Sequence, residues 1–470
     1  MREDNSGGGT GAGGAGTVPG VGGGGGGGGG TVPGSGAGSV LTAEGRAEKI
    51  REKAGKRILA EWEAERALLS ARDDRHESLD YFLDLVKAPP SPSEIEARLR
   101  SRVVGVVCLQ APPELFLALG LHPHRLYGGS LNAAAAQPGL PALMCPLLKS
   151  LMGEMAADPG TAGIPWILPT TCDWTAGLPS LKDVYFPGSG DVRVVDLPRS
   201  KENPVSTEGW FLEMAGLWKY LKTLADRKPS RGGLLAAVGT VERARAAFGE
   251  TVRLRREGRV PAVWFLLAAR TFFFDRAENW TRAVEGANKH FAALEPKLKN
   301  GVFLTGSPVV YPNFKLLHLL EEAGFSVLGD DLCSGERLLF RHVALKDKSV
   351  EGVLRALAQT CHDGCLCPVF VENKRRLGPV VEAVRECAVG GGKTARPPGG
   401  DKTAGSAVRG VVFHLLKGCH PYEIDSVVLE RETRRLGLRF IRLETDYAAE
   451  DRLTISNRLE ALRPTLDAGD

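Results

Sequence analysis

Ile164-Pro165-Trp166-Ile167-Leu168-Pro169-Thr170-Thr171-Cys172-Asp173-Trp174 is an apolar run that gives way to small and polar residues, with a cysteine at the change. A short continuous apolar run of this kind reads as a strand buried on both faces. A cysteine just past the C-terminal end of such a strand stands where open α/β sheets bind ligands. Upstream, Met144-Cys145-Pro146-Leu147-Leu148-Lys149-Ser150 makes the same change of character. Two thiols from two loops can meet at one such point.

The flanking sequence repeats the pattern. Arg102 to Gln110 (RVVGVVCLQ) reads as one buried parallel strand, with Cys108 as a small core residue inside it. Ala111-Pro112-Pro113-Glu114 opens a short helix that Gly120 stops. Asp191 to Leu197 is a further strand, and Glu208 to Ala225 and Thr240 to Glu257 are amphipathic helices. The expected first α/β lobe therefore covers residues 100–297. A second is expected over 298–470. Its strands are Gly301 to Ser307, Phe325 to Leu328, Val408 to Leu416 and Leu438 to Leu443, with a helix over Asn313 to Ala323 and a closing helix from Asp451. With Cys172, three strand-to-loop junctions present a thiol, the other two being Asp330-Asp331-Leu332-Cys333-Ser334-Gly335 and Lys417-Gly418-Cys419-His420, and Cys365-Leu366-Cys367-Pro368 lies between these two in sequence. Two such Rossmann-like lobes with mainly parallel sheets would face their cysteines into one cleft.

Outside the lobes, residues 1–40 are glycine repeats that cannot bury enough surface to offset chain entropy, so a disordered tail is expected. Residues 41–99 read as a helical arm, with Ile50, Ile58, Leu59, Trp62 and Leu68 near one face to pack on the body or on a partner. Residues 388–406 are a Gly, Pro, Lys and Thr insert expected to be a flexible surface loop. Its Gly391-Gly392-Lys393-Thr394 resembles the tail of a phosphate-binding loop, but no strand precedes it and Cys387 holds the place of the first glycine.

Acids and bases are interspersed and the net charge is +4, which argues against a nucleic-acid surface. The longest apolar run, Val263 to Phe274 with Arg270 inside it, is too short for a membrane span and reads as core. No signal peptide is recognised at the start, so a reducing cytoplasmic setting is expected, where clustered cysteines bind metal or do redox chemistry. Nine cysteines are too sparse for a disulfide scaffold. Cys145, Cys172, Cys333 and Cys419 are widely dispersed, and Cys361, Cys365 and Cys367 match no common zinc spacing. Spacing alone leaves an iron–sulfur cluster, zinc, and ordinary buried or reactive thiols all open.

The series of motifs is similar to the 2-hydroxyacyl-CoA dehydratase D-component superfamily, which includes the subunits of benzoyl-CoA reductase. The resemblance rests on Pro113-Glu114-Leu115 with Gly128-Gly129, Cys145-Pro146 with Lys149-Ser150, Thr170-Thr171-Cys172-Asp173 and Asp196-Leu197-Pro198-Arg199. In the second half it continues through Leu304-Thr305-Gly306-Ser307-Pro308, Asp330-Asp331-Leu332-Cys333, Gly418-Cys419 and Glu444-Thr445-Asp446-Tyr447. His420, Asn457 and Leu462 depart from the usual aspartate, threonine and phenylalanine. Cys365-Leu366-Cys367 and the Glu444 to Asp451 stretch look closest to the double-cubane-cluster branch.

The resemblance implies a [4Fe-4S] cluster on Cys145, Cys172 and Cys419, with one iron left open. It also implies, for the double-cubane branch, a second set on Cys333, Cys365 and Cys367. The implied chemistry is low-potential one-electron reduction, near the bottom of the accessible iron–sulfur range at about −700 mV. In a dehydratase, one electron delivered to a CoA thioester carbonyl lets the 2-hydroxyl group leave. The electron donor would be a separate ATP-dependent activator with its own cluster, and the chain would act as a homodimer or beside a homologous subunit. Lys149, Arg199 and Lys417 are candidates to tune cluster charge or contact CoA phosphates, set against the plainer reading of solvated bases.

Overall fold

The computed structural model of the chain describes residues 43–225, 227–339, 342–364, 366–370, 377, 378, 380–384 and 408–467. The expected disordered tail, most of the 388–406 insert's surroundings with the insert itself, and Cys365 lie outside the described residues.

Two four-stranded sheets organise the chain. The first contains β1 (Val103–Val106), β2 (His122–Arg125), β3 (Trp166–Pro169) and β4 (Val192–Val195), in the order β2-β1-β3-β4. The second contains β5 (Gly301–Gly306), β6 (Ser326–Asp330), β7 (Val408–Leu416) and β8 (Arg439–Thr445), in the order β6-β5-β7-β8. Every pairing is parallel, and the two orders are the same order. This is the α/β arrangement of two parallel-sheet lobes that the apolar runs foretold.

Two strands differ from expectation. The β1 pairing stops at Val106, where the longer run Arg102 to Gln110 was expected to continue as strand. Cys108 therefore lies beyond the strand end, not inside it. β2, His-Pro-His-Arg, was not anticipated, because it has neither alternation nor an apolar run. It is an edge strand, where a proline costs no ladder hydrogen bond on the open side.

Helices carry the lobes toward each other. The helix Ala262–Thr271 is buried along its whole length. Its Val263 and Phe265 share one core with Val302 and Leu304 of β5 and with Trp62 of the arm. On the first sheet, Val104, Val106 and Ile167 pack with Trp210, Met214 and Leu217 of the helix Pro204–Leu224. Val353 and Leu357, from the helix Val350–Gly364 of the second half, join that same cluster. Arg355 of this helix lies 3.6 Å over the Phe211 ring and pairs with Glu208 at 2.8 Å. A helix from the second half thus sits on the first sheet, and it carries Cys361 there.

The arm helix Ala43–Ser70 buries Ala54, Ile58, Trp62, Glu65 and Leu69. Those residues recur at four, four, three and four, a true helical stripe. Of the expected face, Ile58 and Trp62 are inside, whereas Ile50, Leu59 and Leu68 are exposed. The arm holds both halves. Glu61 accepts from Asn132 Nδ2 at 2.6 Å, and the Tyr311 hydroxyl donates to the Trp62 carbonyl at 2.7 Å. Among the described residues no helix is long and apolar enough to cross a membrane.

Candidate metal centre

Cys145, Cys172 and Cys419 line one cavity of about 220 Å³ between the two sheets. Each stands immediately before a helix: Pro146–Ala157, Asp173–Tyr185 and His420–Arg435. Two of these helices open with a proline in the first turn, which suits a helix start. Three helix N-termini therefore surround the cavity, and each offers partial positive charge to anything negative there. The backbone N–H of Cys172 donates to Thr175 Oγ1 at 2.8 Å, and that hydroxyl donates back to the Cys172 carbonyl at 2.7 Å. The turn that aims the thiol is thus closed on itself. Before Cys419, Gly418 has φ +74, and a Cβ there would lie 3.0 Å from the Leu143 carbonyl. Glycine lets the Cys419 turn approach the Cys145 loop of the other lobe.

A second group of thiols lines the same cavity: Cys108, Cys333 and Cys367. Cys108 follows β1 and Cys333 follows β6, so four of the cavity's cysteines come from the C-terminal ends of strands or the helices that follow them. Cys361, in the last turn of the helix Val350–Gly364, lines the wall as well. The expectation of Cys108 as a core residue is thereby corrected: strand pairing ends two residues earlier and its side chain reaches the cavity. Cys365, expected beside Cys333 and Cys367 in the second set, lies outside the described residues.

Electrostatics separate the two groups. Burial pushes the Cys145 thiol up to about 11, and the nearby Cys172 adds to the shift. Burial pushes Cys419 up to about 12, with Cys145 and then Cys172 adding to it. Burial likewise pushes Cys108 up to about 11, with Cys367 and Cys333 adding. Cys361 rises to about 12, through burial first, then Glu114, with Cys108 a smaller cause. Cys145, Cys172 and Cys419 sense one another, and Cys108, Cys333 and Cys367 form the other neighbourhood.

The cations of the cavity are Arg125, Arg245 and Arg337, and no aspartate or glutamate is among its described lining residues. Arg245 is already matched by Glu114 at 2.5 Å and Glu242 at 2.6 Å. Arg125 donates to the Cys333 carbonyl at 2.9 Å and Arg337 to the Tyr422 hydroxyl at 2.6 Å, with Asp331 the carboxylate near Arg337. Thiols with arginines and without carboxylates make a soft donor set in positive surroundings, which suits an anionic thiolate-bound metal group. The described residues contain no group of three or more His, Cys, Asp or Glu spaced for a single metal ion. Thiolates around one such ion would stand ~3.8 Å apart, given metal–sulfur bonds of about 2.3 Å. A group of several irons does not need that close spacing, because its ligands bind different atoms of the cluster.

The basic candidates lie beside this cavity and do not line it. Lys149 Nζ donates to the Ala142 carbonyl at 2.6 Å, Arg199 Nη1 to the Thr171 carbonyl at 2.8 Å, and Lys417 pairs with Asp446 at 2.7 Å. Arg199 and Lys149 brace the segments that carry Cys172 and Cys145. Sequence reasoning missed Arg125, Tyr127, Arg337 and Tyr422. Arg125 and Tyr127 had a signal, since Arg125-Leu126 belongs to the same motif as Gly128-Gly129 and Tyr127 lies between them, although the motif gave neither a role.

Residues 108–396 and 400–466 match the family described as 2-hydroxyglutaryl-CoA dehydratase, D-component. The putative dehydratase subunit YjiM of Escherichia coli (strain K12) is 26% identical, over 76% of this chain and 90% of that protein. The (R)-phenyllactyl-CoA dehydratase beta subunit of Clostridium sporogenes is 20% identical, over 78% of this chain and 92% of its own length. The family match takes in every cysteine of the cavity and both sheets save β1, so this chain belongs to the 2-hydroxyglutaryl-CoA dehydratase D-component family.

Proposed function

We propose that this chain is an iron–sulfur protein that performs low-potential one-electron reduction. A [4Fe-4S] cluster is held by Cys145, Cys172 and Cys419, and electrons come from a separate ATP-dependent activator. The observation that carries this reading is the cavity itself, in which thiols of both lobes meet among arginines and helix N-termini without a carboxylate. When bound, the cluster would supply single electrons and, with three protein ligands, an iron open to a small molecule. The chain's own contribution is to enclose that iron, exclude bulk water with an apolar wall, and offset negative charge.

The preferred form is a double-cubane reductase of small molecules. The sequence pointed to Cys333, Cys365 and Cys367 as the second ligand set; the structure's neighbourhood of Cys108, Cys333 and Cys367 adds Cys108 to the candidates. Six thiolates in two sets of three would hold about eight irons, against about four for a simple cubane. Such a protein would be self-contained, as a homodimer. The second reading is a cluster-bearing subunit of a 2-hydroxyacyl-CoA dehydratase, acting on a CoA thioester beside a homologous chain. It is favoured by the two relatives, each named as a dehydratase subunit.

Iron and sulfide counting on anaerobically purified protein tests the proposal. About eight irons per chain supports the double cluster, and about four with a co-purifying homologous chain supports the dehydratase subunit. Colourless protein that takes up no iron on reconstitution would sink both.

A further inference from the structure

Buried cations without buried anions are costly, because an arginine removed from water needs a partner to replace hydration. Arg125 is 2% exposed and Arg337 is 9% exposed. Among the described residues neither has an ion pair with a carboxylate within 4 Å, and each has an Nε that finds no acceptor. Arg125 stacks on Tyr127 at 4.0 Å, and Arg337 bonds the Tyr422 phenol at 2.6 Å. Both line the thiol cavity, Arg125 near Cys108 and Arg337 near Cys333 and Cys367. Arg125 grips the carbonyl of Cys333, and the neighbours that keep Arg337 charged against its burial are Tyr422 and Asp331 first, then Cys333 and Cys367. Arg245, the other cation of the wall, serves as the contrast, since Glu114 and Glu242 already neutralise it. Two guanidiniums without a direct ion pair, beside the same thiols of a cavity whose lining has no carboxylate, amount to a charge held ready for an anion.

We propose that Arg125 and Arg337 are the counter-charges of the Cys108, Cys333 and Cys367 end of the cavity, offsetting the negative charge it takes on when it holds iron and making that iron easier to reduce. The inference rests on the function proposed above. It goes further in assigning a positioning role to two residues that touch the second thiol neighbourhood and not the first. The cavity would then be electrically uneven. The three-thiol end at Cys145, Cys172 and Cys419 relies on helix N-termini, while the other end has full cationic charges as well.

Arg337 is the residue to change, because Arg125 also ties the lobes together through the Cys333 carbonyl. Iron-loaded R337Q should keep its iron but favour the oxidised form by about tenfold, seen in a redox titration as a midpoint about 59 mV more negative. R337K should restore most of the wild-type midpoint. In a Cys333→Ala background, which loses the second set, R337Q should shift nothing. In metal-free protein R337Q should melt a little lower than wild type, because the Tyr422 hydroxyl and the nearby Asp331 carboxylate lose their cation. An unchanged midpoint in iron-loaded R337Q, or the same shift with Cys333 absent, overturns the inference and leaves the proposed function standing. A lower melting temperature of metal-free R337Q with no redox change would make the arginine a structural strut and overturn it too. Wild-type protein that takes up no iron overturns the proposed function, and this inference falls with it.

Discussion

The Tyr127 hydroxyl donates to the main-chain carbonyl of Cys333 at 2.8 Å, joining the end of β2 in the first sheet to the thiol turn of the second. Arg125 donates to the same oxygen at 2.9 Å. Two donors on one carbonyl fix the turn that aims Cys333, and they fix it from the opposite lobe. Tyr127→Phe removes one donor and leaves the other. The expected cost is about 1 kcal/mol, since the oxygen keeps a partner. A melting curve should show that small loss, and iron counting should show poorer occupancy at the Cys333 end. Unaltered iron and stability together would mean that Arg125 alone suffices.

The same turn is clamped from behind. Arg255 pairs with Asp330 at 2.5 Å, and both side chains are fully buried. Asp330 also accepts from the backbone N–H of Leu332 at 2.8 Å and of Glu336 at 2.9 Å. Arg255 Nε reaches the Val327 carbonyl at 3.1 Å. Removing one member of a buried pair strands the other charge, which typically costs 3–5 kcal/mol, so Arg255→Met should lose about that much. Chemical unfolding measures it. A loss below about 1 kcal/mol would show that the Asp330 carboxylate finds other donors when Arg255 is gone.

How far the chain could be read from its residues depended on which way each surface faces. Trp166–Pro169 and Val408–Leu416 were legible because strands buried on both faces leave continuous apolar runs. The parallel sheets, and the thiols at their C-terminal ends, followed from that. His122–Arg125 was not legible: an edge strand tolerates proline and needs no apolar pattern. Cys108 was misread for a related reason. Val103 to Leu109 is apolar throughout, so nothing local marks where pairing stops; that is set by where β3 and β2 end. The arm was read one step out of phase at Leu59 and Leu68, because leucine is also used on exposed helix faces. Arg125 and Arg337 meet the thiols only through packing between the lobes, which no local pattern encodes.

Stability should have two pH limbs. Burial lowers His122 to about 4, His124 to about 3 and His414 to about 4. The folded chain therefore resists protonating these rings. Their contribution is complete above their ordinary value of 6.5 and is lost as the pH falls from 6.5 toward 4. Glu154 works in the opposite sense: burial pushes its carboxyl from 4.5 up to about 8. Burial, and then Asp330, push Glu336 up to about 7. Those neutral carboxyls stabilise the fold fully below 4.5, and the contribution is lost as the pH rises through 7 and 8. Melting temperatures of metal-free protein should fall steeply on the acid side and gently from pH 6.5 to 8.5. Glu154→Gln should make the gentle limb shallower and, because the carboxyl's contribution already falls from pH 4.5 upward against the histidine slope, should steepen the acid limb. A limb between 6.5 and 8.5 that is unchanged in Glu154→Gln would assign it to other groups.

Cys108 offers the sharpest separation between a packing role and a ligand role. A thiol that only fills core leaves a small void when cut to alanine, which costs on the order of 1 kcal/mol and spares the metal content. A thiol that holds iron behaves the other way round. Its loss hardly alters the metal-free protein, because the side chain faces a cavity and not a packed interior. In loaded protein, Cys108→Ala should lower iron from about eight to about four per chain, with the sites on Cys145, Cys172 and Cys419 intact. Cys172→Ala, made in parallel, should deplete the other end. Cys365→Ala completes the comparison, because it and Cys108 are the competing candidates beside Cys333 and Cys367. If Cys108→Ala keeps full iron while Cys365→Ala loses half, the second set is the one that the Cys-Leu-Cys spacing pointed to, and Cys108 is a bystander in the wall.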